Sequence, residues 1–108
     1  MIYNTSTPYM YIFIRKDLTV PQQIVQASHA ALEAGFAYNQ PASSTHIVLI
    51  SVKNQSDLTK VSDRLTNQGI DHQKFFEPDY GTGYTAIATR PLIGAEREPL
   101  KRYSLYTC

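Results

Sequence analysis

The chain reads as a small single-domain α/β fold. It predicts a four-stranded mixed β-sheet in the order βαβαββ, then a short C-terminal helix, with helices on both faces of the sheet. Three observations lead there. The run 9–15, YMYIFIR, is apolar at odd and even positions alike, which suits a central strand covered on both faces. An 18-residue helical pattern separates it from a β-branched run, THIVLISV, and a strand, helix and strand of those lengths imply parallel strands joined by a right-handed crossover. Finally, 108 residues with a formal net charge of +1 can close one hydrophobic core without a metal or a disulfide.

The elements follow in order. Residues 1–8 are polar, end in Pro8 and read as a flexible lead-in to a domain over 9–108. After the first strand, Asp17, Leu18 and Thr19 make a turn. The first helix is expected over 21–38. Pro21 costs nothing in a first turn, and Thr19 with Gln22 has capping-box spacing; Val20 is disfavoured as helical by the proline after it. At about 100° per residue, Ile24, Val25, Ser28, Ala31, Leu32, Gly35 and Phe36 share one face, expected to be the buried one. Gln22, Gln26, His29 and Glu33 form a polar stripe beside it. Small residues (Ala27, Ala30, Ala31, Ala34, Gly35) allow the helix to lie close to a sheet. The second strand is 45–52. Asn54 or Ser56 caps a second helix to about residue 67, with Leu58, Val61 and Leu65 inward and Gly69 as its stop. A third strand at 72–76, a turn at 77–83 and a fourth strand at 84–89 follow. Pro91 ends that strand, and a short helix at 96–102 precedes an extended piece at 103–106.

Several function classes are excluded or disfavoured. There is no P-loop, dinucleotide fingerprint, nucleophile elbow or metal-spaced histidine pair, so no cofactor and no metal are expected. The single cysteine, Cys108, cannot form an internal disulfide and reads as an exposed terminal thiol. The N-terminus lacks the pattern of a signal peptide, no apolar run reaches membrane-spanning length, and the Asn4 and Asn54 sequons read as chance; a cytoplasmic protein is expected. In open α/β sheets, ligand sites lie beyond the carboxyl ends of parallel strands, beside helix N-termini. Lys16, Asp17 and Gln22 fall at that end, and the Asp79 loop joins them if the fourth strand pairs with the first.

Two strings carry a resemblance. Arg15-x-Asp17-Leu18 is followed by Gln26-x-x-His29-Ala30-Ala31, and Phe76-x-x-Asp79-x-Gly81 by Thr85-Ala86-Ile87-Ala88. In this order, over about 9–106, they resemble the type II peptidyl-tRNA hydrolases. Small hydrolase-like proteins of bacterial viruses look closer still, with the same Glu-Pro-Asp loop and a similar ending at Lys101-Arg102-Tyr103-Ser104-Leu105. The sequence departs from the family at two places. Gln22 stands where the family has a lysine seven positions before the histidine, in a turn two residues shorter, and Tyr80 to Tyr84 replaces a longer segment.

The resemblance implies hydrolysis of the ester between a peptide and the 3′ ribose of tRNA, with tRNA as partner and a homodimer as a possible assembly. It implies a catalytic set of His29, Asp79, Thr85 and Gln22. His29 would accept the water's proton or position the water, Asp79 orient His29 or balance its charge, and Thr85 donate to substrate, while the Gln22 amide with helix N-terminal N–H groups, or Lys16 reaching across the turn, would cover for the lysine. Lys16, Arg15, Asp17, Gln26, Thr82, Tyr84 and Arg90 would contact substrate or RNA, with Arg97, Lys101 and Arg102 beside the same crevice and Tyr80 and Tyr84 stacking on bases. Two other classes fit the same sequence. One is a catalytically impaired relative that binds tRNA, a nucleotide or a protein; the other is a structural dimer subunit joined through the Tyr9, Tyr11 and Phe13 strand or the terminal strand.

Overall fold

The computed structural model describes residues 7–107 of the chain. Residues 1–6 of the expected lead-in, the Asn4 sequon and the Cys108 thiol lie outside the described residues. Pro8 is fully buried and its carbonyl accepts from the His46 N–H at 2.9 Å, so ordered structure starts ahead of the first strand.

Strand β1 is Tyr9–Arg15, helix α1 Val20–Ala37, strand β2 His46–Val52, helix α2 Gln55–Asn67, strand β3 His72–Glu77 and strand β4 Gly83–Thr89. They form one sheet in the order β2-β1-β4-β3. β1 is parallel to β2 and antiparallel to β4, and β3 is antiparallel to β4. The alternation of β1 divides the core in two. Tyr11 and Phe13 face α2 with Ile50, Leu58, Val61, Leu65 and Ile87. Met10, Ile12 and Ile14 face α1 with Ala30, Ala34, Ala86 and Ala88. Tyr11 and Phe13 are therefore core residues, and a dimer through that strand face is ruled out by burial. The terminal segment lies along β2, with Leu105 bridging Ile50 and the Tyr106 N–H donating to the Leu49 carbonyl.

Local chemistry sets the helix ends. Thr19 caps α1 in a complete capping box. Val20 is nonetheless helical, in the first turn, because the box closes around it. Asn54 caps α2 through its side chain and Gly69, at φ 72°, ends it. The expected C-terminal helix is a 3₁₀ segment at Gly94–Leu100, two residues earlier than its sequence suggests. There Glu96 accepts from the Ile93 N–H at 2.9 Å, and Pro99 removes a donor an α-helix would use.

The largest correction concerns α1. Its buried residues are Gln23, Gln26, Ala30 and Ala34, and the stripe expected to be inward points outward: Ile24 is 63% exposed, Leu32 51% and Phe36 77%. The sheet beneath α1 presents Ala86 and Ala88, so the helix settles on its own alanines and the bulky side chains are left outside.

Candidate active site

Between the start of α1 and the loop after β3 lies a cleft of about 270 Å³, lined by Leu18, Pro21, Gln22, Val25, Gln26, Glu77, Asp79, Tyr80 and Thr82. The pairing of β1 with β4 brings these two chain regions together at the carboxyl end of β1. The capping box orients Gln22. The Thr19 N–H donates to Gln22 Oε1 at 3.0 Å and the Gln22 N–H donates to Thr19 Oγ1 at 3.3 Å. With its oxygen held, the amide leaves both Nε2 hydrogens without a partner among the described residues.

Below it runs a chain of hydrogen bonds. Thr85 Oγ1 donates to Gln26 Oε1 at 2.6 Å, Gln26 Nε2 donates to Glu77 Oε2 at 3.2 Å, and Glu77 Oε1 accepts from the Asp79 N–H at 3.1 Å. Thr85 reaches Gln26 through a bulge. Phe75 pairs with Ala86 but Phe76 with Tyr84, so Thr85 is an extra residue in β4 and its side chain is re-aimed toward α1. Both oxygens of Glu77 are thus occupied. The Asp79 carboxylate, by contrast, has no hydrogen-bond partner among the described residues. The rim residue Tyr80 is fully exposed on a left-handed backbone, φ 56°, an uncommon conformation for a bulky side chain.

Arg15 locks the cleft floor. Its Nε and Nη2 donate to the two Asp17 oxygens at 2.9 and 2.8 Å, and its Nη1 donates to the Thr82 and Tyr84 carbonyls at 2.6 and 3.0 Å. The Arg15 hydrogen bonds hold the Asp17 carboxyl below its ordinary range, against a smaller opposing effect of burial.

The sequence-derived residues therefore separate into groups. Gln22, Gln26, Asp79 and Thr82 meet in the cleft. Thr85 is fully buried and donates its hydroxyl to Gln26, so it supports that side chain. Arg15 and Asp17 are paired with each other, and Arg15 also with the loop backbone. Lys16 donates to the Thr107 carbonyl at 2.5 Å and lies over the Tyr106 ring, outside the cleft lining. Tyr84 packs edge-on against Phe76 with Lys74 above it, on the other face of the sheet. Arg90 pairs with Glu96 beyond the far end of β4, and Arg97 covers the Tyr9 ring at 3.5 Å. The basic residues thus lie at both ends of the sheet and do not flank one crevice.

His29 is exposed, one turn beyond the cleft. Its ring stacks on Phe75 at 4.7 Å and lines a shallower hollow with Ile24, Val25, Ser28 and Leu32. It makes no hydrogen bond to Asp79, and Val25 stands between the two hollows. Sequence reasoning missed Glu77, whose only signal was an acid two positions before Asp79. Among the described residues, no lysine or arginine lines the cleft and no group of histidines, cysteines and acids is arranged to hold a metal.

Comparison with known proteins agrees with the fold. Residues 9–96 match the family model described as peptidyl-tRNA hydrolase PTH2. No curated protein matches the chain. A solved structure of a protein of unknown function from Agrobacterium tumefaciens strain C58 is similar over 93% of this chain and 98% of its own, with a TM-score of 0.68 at 14% identity; that likeness shows a shared fold.

Proposed function

Because the chain belongs to the PTH2 peptidyl-tRNA hydrolase family, we propose that it hydrolyses the ester between a peptide, or an N-blocked amino acid, and the 3′ ribose of tRNA, recycling tRNA in the cytoplasm. The observation that carries the site assignment is that Asp79, its carboxylate unpartnered among the described residues, and Gln22 line one cleft. Asp79 holds the attacking water and takes its proton as the water oxygen bonds to the carbonyl carbon, then returns that proton to the ribose 3′ oxygen as the ester C–O bond breaks. The carbonyl oxygen, as it gains charge, accepts from Gln22 Nε2. Pro21 has no N–H and the Gln22 N–H is used by Thr19, so the helix start adds little to that stabilisation. Gln26 and Glu77, held by Thr85, keep the loop under Asp79 in place. Tyr80, held out from the rim, stacks on a base of the acceptor end.

His29 is worse placed than Asp79 to act on the water. Its unengaged ring nitrogens suit contact with the peptide or the ribose. An amide donor in place of an ammonium makes the enzyme slow, since losing one good oxyanion donor elsewhere costs on the order of a hundredfold.

A second reading is favoured by the absence of any cation in the cleft: a relative that binds a tRNA end, a nucleotide or a protein without turnover. Single-turnover hydrolysis of an N-blocked aminoacyl-tRNA by wild type and Gln22→Lys separates the two. The enzyme reading expects measurable wild-type cleavage, faster in Gln22→Lys. An inert wild type that still binds the tRNA would replace it with the binding reading.

A further inference from the structure

Helix α2 carries a buried hydroxyl beside its apolar stripe. Ser62 follows Leu58 by one turn, next to Val61, and is 5% exposed. A helical serine or threonine can turn its hydroxyl back to the carbonyl four residues earlier. Ser28 does so to Ile24 at 2.7 Å and Thr59 to Gln55 at 3.1 Å. Ser62 does not follow them: its Oγ lies 2.7 Å from Nε2 of His72, the first residue of β3.

The far side of the ring decides which atom donates. His72 Nδ1 lies 2.9 Å from the Ile70 carbonyl oxygen. A carbonyl can only accept, so Nδ1 carries a proton. Nε2 of the neutral ring is then the acceptor, and the Ser62 hydroxyl donates to it. This is the order of a hydroxyl nucleophile, its base and the group that orients the base, with a main-chain carbonyl in place of the carboxylate of the serine triad. The orienting residue is itself held, because the Ile70 N–H donates to the Leu65 carbonyl at 2.9 Å.

The couple faces open space. Ser62 and His72 stand in the wall of a cavity of about 340 Å³, together with Thr66, Asp71 and Lys74. Side chains two apart on a strand share a face, so Lys74 lies on the His72 side of β3, and it makes no ion pair among the described residues. No residue lines both this cavity and the cleft.

We propose that Ser62 and His72 form a second reactive centre, a nucleophile and its base that take the acyl group of a small carboxylic ester. Ser62 Oγ bonds to the ester carbonyl carbon as its proton passes to His72 Nε2. The Lys74 ammonium meets the carbonyl oxygen as it gains charge. The C–O bond to the alcohol then breaks, and the alcohol oxygen takes the Nε2 proton. Water attacks the acyl-Ser62 carbonyl carbon and gives a proton to Nε2, which returns it to Ser62 Oγ as the acid leaves. The cavity is at the small end of ligand pockets, which restricts the acyl group to a short chain. The centre stands independently of the proposed tRNA reaction.

The probe is p-nitrophenyl acetate, mixed with wild type, Ser62→Ala and His72→Gln and quenched in acid. Absorbance follows nitrophenolate release, and peptide mass spectrometry locates the acetyl group. The expected result is wild type acetylated on Ser62, with His72→Gln acetylated there about 10²-fold more slowly and Ser62→Ala losing the matching part of the release. Circular dichroism establishes that each variant is folded. Should one unfold, the position of the acetyl group on wild type still decides. Acetyl groups on lysines or other histidines and never on Ser62 overturn the proposal and leave the couple a structural contact. A folded His72→Gln that acetylates Ser62 as fast as wild type overturns it too. Cleavage of an N-blocked aminoacyl-tRNA should be unchanged in Ser62→Ala, which separates a failure here from a failure of the cleft assignment.

Discussion

Thr85→Val tests whether the buried hydrogen-bond chain holds the cleft. The substitution keeps shape and volume and removes only the hydroxyl. Thr85 is fully buried and Gln26 is 6% exposed, and their bond is 2.6 Å long. Its loss leaves the Gln26 carbonyl oxygen buried without a donor, which costs about 1–3 kcal/mol. For a domain this small, urea unfolding has a slope of about 1–2 kcal/mol per molar, so the midpoint should fall by roughly 0.5–3 M. Far-UV circular dichroism in a urea titration measures it, with Thr85→Ser as the control that retains a hydroxyl. Adding Gln26→Leu should cost less than the sum of the two single changes, because the apolar pair no longer buries an unsatisfied acceptor; the coupling should be about 0.5–3 kcal/mol. A Thr85→Val midpoint indistinguishable from wild type would refute the claim that this hydroxyl secures Gln26.

Two further predictions concern the frame of the site. Asp17 titrates below its ordinary value in the folded chain because Arg15 binds its charged form, so the unfolded chain takes up the proton first as pH falls. The stabilisation is complete above the unfolded value near 3.8 and is lost below it. Asp17→Asn should flatten the acid limb of a melting-temperature profile between pH 5 and 2, modestly, since Asp17 is partly exposed and screened; an unchanged acid limb would remove the Arg15 latch from the account. Gly83→Ala should lower stability by about 1–3 kcal/mol in thermal melts. Gly83 sits at φ 81°, and a Cβ there would strike the Gln55 side chain, whose oxygen accepts from the Tyr84 N–H at 2.6 Å. A neutral substitution would mean that the turn relaxes freely.

Much of the frame was legible because its causes are local. The double-faced run of β1, the Thr19 and Gln22 box and the Gly69 stop depend on neighbours a few residues away and appear where the sequence places them, and of the two caps it offered for α2 the structure uses Asn54. The meeting of Gln22 and Asp79 followed from one long-range inference, that β4 pairs with β1; Lys16 and Asp17, grouped with them by the same inference, lie outside the cleft lining. What failed depended on the opposing surface. The α1 stripe was read by apolarity, whereas the sheet under it selects by volume, and Ala86 and Ala88 admit only alanines and slender glutamines. The bulge that aims Thr85 at Gln26 has no mark in YTAIAT. Arg15 and Arg90 looked like neighbours in one crevice because the antiparallel course of β4, which carries Arg90 to the opposite end, does not show in a list of basic residues.

The central claim is that Asp79, in the cleft with Gln22, performs the hydrolysis. Its most direct test is single-turnover cleavage of an N-blocked aminoacyl-tRNA by Asp79→Asn and by His29→Ala, each against wild type. The account predicts that Asp79→Asn loses 10²-fold or more, within the contribution typical of a positioned acid–base group, with tRNA affinity retained, and that His29→Ala loses far less. A fully active Asp79→Asn, or a His29→Ala as inert as the account expects Asp79→Asn to be, would contradict it and move the chemistry out of the cleft toward the His29 hollow.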